Sequence, residues 1–184
     1  MNSRLAREFY VRKATEVAKD LLGKVIYRIR GEAYQRFRIV ETEAYCGPED
    51  KAAHSYGGRR TKRTEVMYRE GGHLYVYFVY GMHHMLNIVA NKEGIPEAVL
   101  IRAAEPLNLE ADASGPGKLC RALGITLAHY GLDLCLSEEV FLVDEGFRPE
   151  GIVETTRVNI EYAEEDRFRP WRYYIENNPH VSRK

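Results

Sequence analysis

Between residues 12 and 22 the apolar positions Ala14, Val17, Ala18, Leu21 and Leu22 recur at helical spacing, and Gly23 follows as a natural C-cap. The spacing predicts an amphipathic helix. The period then turns to alternation. Residues 24–30 and 33–45 read as two strands, and Gly31 between them predicts a hairpin. Gly47-Pro48-Glu49-Asp50 is turn chemistry. Residues 51–70 are polar, basic and poorly periodic, which predicts a long loop with room for one helical turn; long ordered loops in compact domains are often functional. Residues 74–79 are an aromatic and β-branched run, a strand, and 85–91 and 98–103 read as two more. A short helix fits 116–124, with Ser114 and Pro116 at its start and Gly124 at its end. Residues 140–143, 152–159 and 171–176 complete the strands. Many strands, few helices and no βαβ rhythm predict an α+β fold on an antiparallel sheet.

Composition allows this. Of 184 residues, 45% are hydrophobic and 29% charged, proportions that suit one packed domain spanning 1–184. Thirteen tyrosines, each a stacking face with a polar tip, hint at a recognition surface. Lys+Arg and Asp+Glu both total 27, so a nucleic-acid partner would need a local positive patch rather than a basic average. No apolar run is long enough to span a bilayer, and the opening Met1-Asn2-Ser3-Arg4-Leu5-Ala6-Arg7-Glu8 carries no signal-peptide core. Cys46, Cys120 and Cys135 form no CxxC pair, which predicts reduced thiols and a cytoplasmic protein, nucleoid-associated in a bacterium or nuclear in a eukaryote.

Four stretches carry chemistry. In Val40-Glu41-Thr42-Glu43-Ala44-Tyr45, alternation puts Glu41, Glu43 and Tyr45 on one face of a strand. Two carboxylates about 7 Å apart, shielded from water, would disfavour each other's ionisation, one way to make a general base; a solvated polar face is the other reading. The stretch from Lys51 to Arg63 holds five basic residues (Lys51, Arg59, Arg60, Lys62 and Arg63) and no acidic one, with His54 and Thr61 in the same stretch. Such a loop can neutralise phosphates, though an ordinary solvated loop has the same composition. In Leu74-Tyr75-Val76-Tyr77-Phe78-Val79-Tyr80-Gly81-Met82, Tyr80 precedes a glycine at a strand end, so it can project from a turn tip and wedge between base pairs. Ser114-Gly115-Pro116-Gly117-Lys118 opens a helix with free N–H groups and a lysine, a reasonable phosphate contact and equally a plain helix start. His83-His84 do not face together on regular structure, no Cys/His spacing suggests zinc, and neither GxxxxGK[ST] nor GxGxxG occurs. No Ser or Cys sits in a nucleophile motif.

Together these segments resemble the alkyladenine (methylpurine, 3-methyladenine) DNA glycosylase family. The likeness rests on Val-Glu-Thr-Glu-Ala-Tyr at 40–45, Ala-Ala-His-Ser at 52–55, Leu-Tyr-Val-Tyr at 74–77, Tyr80-Gly81-Met82, Asn87, Arg102, Glu105-Pro106-Leu107 and Ser-Gly-Pro-Gly-Lys-Leu-Cys at 114–120. It is dense from about Leu21 to Leu123. The resemblance implies a curved antiparallel sheet with flanking helices, and a monofunctional enzyme of base excision repair. Such an enzyme flips an alkylated or deaminated purine (3-methyladenine, hypoxanthine, ethenoadenine) from duplex DNA and leaves an abasic site. It implies Glu43 as general base, Tyr45, His54 and Tyr77 as the sandwich around the flipped base, Tyr80 as the inserted residue and Asn87 as the pocket side chain that disfavours guanine. Arg59, Thr61, Arg63, Met82 and Arg102 match positions near the DNA backbone or groove. A monomer without metal, cofactor or lyase activity is expected. The chain departs from relatives in its short connection from Leu107 to Ser114, and in His83 and His84 where bulky aromatic or apolar groups are usual. A non-catalytic nucleic-acid-binding module and a nucleoside hydrolase are the competing classes; the first has no use for Glu43, the second none for Tyr80 or the basic loop.

Overall fold

The computed structural model describes residues 2–184. In chain order the elements are β1 (Ser3–Arg4), a single helical turn α1 (Arg7–Tyr10), α2 (Ala14–Asp20), β2 (Val25–Arg30), β3 (Ala33–Tyr45), β4 (Leu74–Val79), β5 (His83–Ala90), β6 (Glu97–Pro106), α3 (Pro116–Leu123), β7 (Val140–Asp144), β8 (Ile152–Thr155) and β9 (Arg172–Ile175). The fold is α+β, and every strand pair is antiparallel. The strands lie in the order β1-β7-β2-β3-β6-β5-β4, with β9 joined to β3 and β8 to β9.

The 13-residue β3 is the spine. Its first half pairs with β2 around the predicted hairpin, where Gly31 takes the left-handed φ of 61° that the turn needs. Its second half, Glu41 to Glu43, pairs instead with β9. Along its other edge it pairs with β6, and the register shifts on both sides of Glu41. Val40 is the extra residue on β3 and Arg102 the extra residue on β6. Such bulges bend a strand and re-aim side chains, and these two decide where Arg102 points.

Helix α2 buries Ala14, Val17 and Ala18 on the sheet, where Thr42 Oγ1 donates to the Ala18 carbonyl at 2.8 Å. Leu21, Phe37, Ile39, Val99, Ile101, Leu119 and Leu123 join them in the main core. Two smaller clusters flank the site: Val66, Met67, Tyr75, Val89 and Ala98 on one side, and Ala52, Ile160 and Ala163 on the other.

Several boundaries differ from expectation. The strand expected over 152–159 stops at Thr155, because the Arg157 guanidinium turns inward to a buried carboxylate and takes the backbone out of the sheet. The loop over 51–70 contains two short 3-10 turns, Tyr56–Gly58 and Glu65–Tyr68. β1, α1 and the 3-10 segments Leu127–His129 and Glu161–Phe168 were not expected; each is too short for hydrophobic periodicity to register. All three cysteines are free thiols. No described helix is long and apolar enough to cross a membrane.

Candidate active site

The alternation read from β3 puts Glu41 and Glu43 where neither meets water: both are completely buried. A buried carboxylate must find donors or neutralise. Glu41 Oε2 accepts from Arg172 Nη1 at 2.8 Å, and its Oε1 accepts from Ser182 N at 2.9 Å and Ser182 Oγ at 2.5 Å. It ties the C-terminal segment to the sheet. Glu43 has different partners. Its Oε2 accepts the Val158 N–H at 2.6 Å, and its Oε1 accepts from Tyr45 Oη at 3.2 Å and Arg102 Nη1 at 3.3 Å. Arg102 also lies 3.7 Å from Glu41, so one guanidinium spans both carboxylates.

Burial pushes the Glu43 carboxyl above its ordinary 4.5; the Arg102 charge, the Val158 N–H and the Arg157 charge oppose that rise, while Glu41 adds to it. The repulsion between neighbouring glutamates expected from the sequence is therefore present but minor beside desolvation. Each carboxylate oxygen can accept about two hydrogen bonds. Oε2 takes one here, so it keeps acceptor capacity for a water.

Glu43 and Arg102 line a cleft of about 450 Å³ together with Tyr45, His54, Tyr77 and Tyr80. That size suits a small-molecule or base site. A smaller cavity of about 40 Å³ continues inward past His54 and Tyr77 to Asn87, Met67 and Tyr75. His54 and Tyr77 meet edge to face, with ring centroids 4.6 Å apart. His54 Nδ1 is 2.7 Å from Tyr75 Oη. Burial, followed by the nearby charges of Arg63 and Arg59, lowers His54 to about 4. The imidazole is neutral at physiological pH. Burial raises the Tyr77 hydroxyl well above its ordinary 10, and that of Tyr75 to about 12, so both stay protonated donors. Asn87 is buried on β5, where it lines the inner cavity and its Nδ2 donates to the Tyr75 carbonyl at 3.2 Å.

Tyr80 stands at the tip between β4 and β5, 86% exposed, at a φ of 54° beside Gly81 at 65°. A large aromatic side chain held in the left-handed region is strained, and such strain gathers at functional sites. Met82 is also exposed on this tip, but borders a neighbouring groove floored by α3 rather than the cleft itself.

The basic loop is less positive than its sequence suggests. Lys51 is held by Glu164 and Glu165, and Arg60 by Glu65 through two contacts at 3.0 and 2.7 Å. Arg59, Lys62 and Arg63 have no carboxylate partner among the described residues and are exposed. Arg63 lies over the Tyr77 ring, 5.0 Å from its centroid. Thr61 is exposed and its hydroxyl is 3.4 Å from that of Thr64, inside the loop's own turn. Lys118, in the first turn of α3, lines the cleft and pairs with Asp112 at 2.9 Å. Arg102, expected near the DNA backbone or groove, lines the cleft, 9% exposed, with its guanidinium beside two glutamates. The β6 bulge puts it there. Among the described residues no three His, Cys, Asp or Glu side chains are grouped to hold a metal ion.

The sequence reading missed the far wall. Arg157, with a fully buried side chain, grips the equally buried Asp50 at 2.6 and 2.9 Å, and so seats the Val158 N–H on Glu43. Tyr162, in the segment Glu161–Phe168, lines both cleft and inner cavity. A buried arginine in a polar stretch leaves no periodic signal.

Relatives give the same answer along almost the whole chain. Proteins named provisionally as 3-methyladenine DNA glycosylases are 48% identical in Clostridium novyi and 49% identical in Desulfitobacterium hafniense, each over 98% of this chain and 99% of the relative. One from Methanocella arvoryzae is 46% identical over 98% of this chain and 96% of its own. With residues 8–179 matching the family description of methylpurine-DNA glycosylase, from α1 through the Val158 seat of Glu43 and past β9, the chain belongs to the methylpurine-DNA glycosylase family.

Proposed function

We propose that this hydrolase of N-glycosyl bonds removes damaged purines from duplex DNA by base flipping, with Glu43 as the general base and an abasic site as product. One observation carries the reading: a wholly buried glutamate, pinned by a backbone N–H and an arginine, faces a cleft whose other walls are aromatic. Pinning fixes the carboxylate for proton abstraction, and its raised pKa brings its basicity nearer the working pH. Tyr80 enters the stack as the nucleotide leaves it. The cost of flipping, a few kcal/mol, is least at a damaged or mispaired base. The purine then meets Tyr45, His54 and Tyr77. Stacking is worth roughly 1–3 kcal/mol per base, with more for a cationic alkylated purine over an electron-rich face. A neutral His54 matters here, because an imidazolium would repel that cation.

Glu43 takes a proton from water as the water oxygen bonds to C1′ of an oxocarbenium-like sugar, and the purine departs with the electrons of the broken C–N bond, as in inverting glycoside hydrolysis. The glutamate's charge also stabilises the sugar cation. Lys118 is the one lysine lining the cleft, and it is held by Asp112 rather than freed as a nucleophile, in keeping with hydrolysis without strand cleavage. Arg59, Thr61, Arg63, Met82 and Lys118 supply the duplex contacts. Asn87 selects at the pocket wall against guanine's exocyclic amino group. The substrates are methylated purines such as 3-methyladenine, with hypoxanthine and ethenoadenine fitting the same pocket, and the enzyme acts as a monomer in base excision repair.

The test is single-turnover base release from duplexes carrying 3-methyladenine, hypoxanthine or ethenoadenine, comparing wild type with Glu43→Gln. Release by wild type alone, with the variant folded and binding DNA, is the expected result. Equal release by both would remove Glu43 from the chemistry. Salt-sensitive binding without release on any lesion would favour the non-catalytic module.

A further inference from the structure

The large cleft and the inner cavity share four lining side chains: Tyr45, His54, Tyr77 and Tyr162. These four form the neck through which anything reaching Asn87 must pass. Three of them make up the expected sandwich; the fourth comes from a different part of the chain.

Tyr162 has an unusual setting. The residue is 65% exposed, although its neighbours Ile160 and Ala163 are buried against Ala52. Its backbone is therefore anchored while the side chain stands free at the mouth. The following Glu164 holds a φ of 53° and is tethered, with Glu165, by Lys51. A positive φ at a non-glycine residue, fixed by surrounding contacts, marks a segment built to a required shape. The one polar anchor of the Tyr162 side chain is a long hydrogen bond from its Oη to the Ala52 carbonyl, 3.3 Å. Such a bond is weak and readily exchanged.

The inner cavity, about 40 Å³, is far below the volume of ligand pockets. The cleft of about 450 Å³ has room for a purine, but the base can reach Asn87 only if the neck widens. Tyr45 is held by Glu43 and by Arg157 against its ring, and Tyr77 is packed against His54 and Tyr75. Tyr162 is the most exposed of the four neck residues, and the only exposed one.

We infer that Tyr162 is a specificity-determining residue: its ring swings aside to admit the extruded purine, closes on it as a further aromatic wall, and so favours cationic alkylated purines over neutral ones. The inference rests on the base-pocket reading above. A cation gains from each electron-rich face within about 6 Å, whereas a neutral base gains stacking alone.

The experiment compares wild type, Tyr162→Phe and Tyr162→Ala in single-turnover release of a cationic base, 7-methylguanine, and a neutral one, hypoxanthine, from the same duplex, each read as a ratio to wild type because the 2-amino group of 7-methylguanine meets the unchanged Asn87 in all three. Wild-type release on either substrate establishes the pocket reading independently of the variants. Tyr162→Ala is expected to lose about ten- to a hundredfold on 7-methylguanine, the range for one stacked aromatic, and several-fold less on hypoxanthine. Tyr162→Phe, which keeps the ring and loses only the long hydrogen bond, is expected to restore release on both. An unchanged 7-methylguanine-to-hypoxanthine ratio in Tyr162→Ala would overturn the inference, as would Tyr162→Phe falling as far as Tyr162→Ala. A second readout requires no turnover. In a Glu43→Gln background, Tyr162→Ala should weaken binding to a 7-methylguanine duplex and leave binding to the undamaged duplex unchanged; equal weakening of both would also overturn it.

Discussion

Replacing Asp50 by Asn should cost far more than loss of one exposed charge, and the structure says why. Asp50 Oδ1 accepts from Arg157 Nη2 at 2.9 Å and Ala52 N at 3.0 Å; its Oδ2 accepts from Arg157 Nη1 at 2.6 Å and Cys46 N at 2.8 Å. All four partners are donors. Whichever way an Asn side chain is turned, its amide nitrogen faces two of them, so two bonds are lost and the Arg157 charge stays buried without a counter-charge. Breaking a buried pair by removing one partner costs about 3–5 kcal/mol. At about 2–4 °C per kcal/mol for a chain of this size, the melting temperature should fall by about 6–20 °C. Adding Arg157→Met removes the orphaned charge, so the double variant should melt above Asp50→Asn alone. Its turnover should stay low even when folded, because the segment carrying Val158 loses its anchor and the Glu43 carboxylate loses its fixed donor. Thermal melts of the wild type, both single variants and the double, with single-turnover rates measured well below the lowest transition, test this. An Asp50→Asn melting point within 2 °C of wild type, or a double variant less stable than either single, would refute the reasoning.

Other outcomes follow from the same geometry. With Glu43 as the proposed base, the acid limb of the single-turnover pH profile should have its midpoint above the ordinary 4.5; a midpoint at or below it would contradict the burial argument. The same raised pKa means the folded state binds this proton more tightly than the unfolded state, so Glu43's contribution to stability declines as pH rises from 4.5 through its folded pKa, opposite to a paired surface carboxylate. Arg63→Ala should reduce the slope of log affinity against log salt by about 1, whereas Arg60→Ala, already committed to Glu65, should change it by less than half as much; equal effects would show that the ion pair does not matter. Tyr80→Ser should slow release from paired lesions more than from unpaired ones, and equal loss on duplex and single-stranded substrate would count against insertion. Asn87→Ala should raise release of guanine relative to hypoxanthine, with an unchanged ratio as the contrary result.

How much was legible depended on how local the signal was. β2, β3, β4 and the hairpin at Gly31 follow from alternation and turn chemistry within a few residues of one another. Helix α3 came with its own punctuation, Pro116 in front and Gly124, at a φ of 64°, behind. The near wall of the cleft was readable for the same reason: Glu43 and Tyr45 lie on one strand, Tyr77 on another, and Tyr80 in the turn that follows it. The far wall was not. Arg157 matters through Asp50, 107 positions away, and nothing in either neighbourhood announces the other. The alternation of 152–159 even argued the wrong way, because a strand there would have spent the Val158 N–H on a ladder. The basic loop shows the converse error: five cations in sequence lose two to acids at Glu65 and Glu164–Glu165 once folded.

The two glutamates of β3 show how the fold divides one sequence feature into two jobs. Both are buried, both sit within reach of Arg102, and periodicity alone could not rank them. Glu41 meets Arg172 and both Ser182 donors, so its three hydrogen bonds, as many as Glu43 has, all come from groups that belong to the fold, and it does not line the cleft. Glu43 lies two residues further on, past the bulges and beyond the reach of the C-terminal segment, where β3 runs out toward the open cleft. There it meets one backbone N–H, one tyrosine hydroxyl and one shared guanidinium, which fix its direction and leave part of Oε2 unfilled. Arg102 donates to Glu43 at 3.3 Å but stands 3.7 Å from Glu41, beyond hydrogen-bond reach, and Glu41 already has the Arg172 charge beside it. The guanidinium's charge thus acts chiefly on Glu43, opposing the rise that burial imposes on its carboxyl, which is what the proposed role of a base requires.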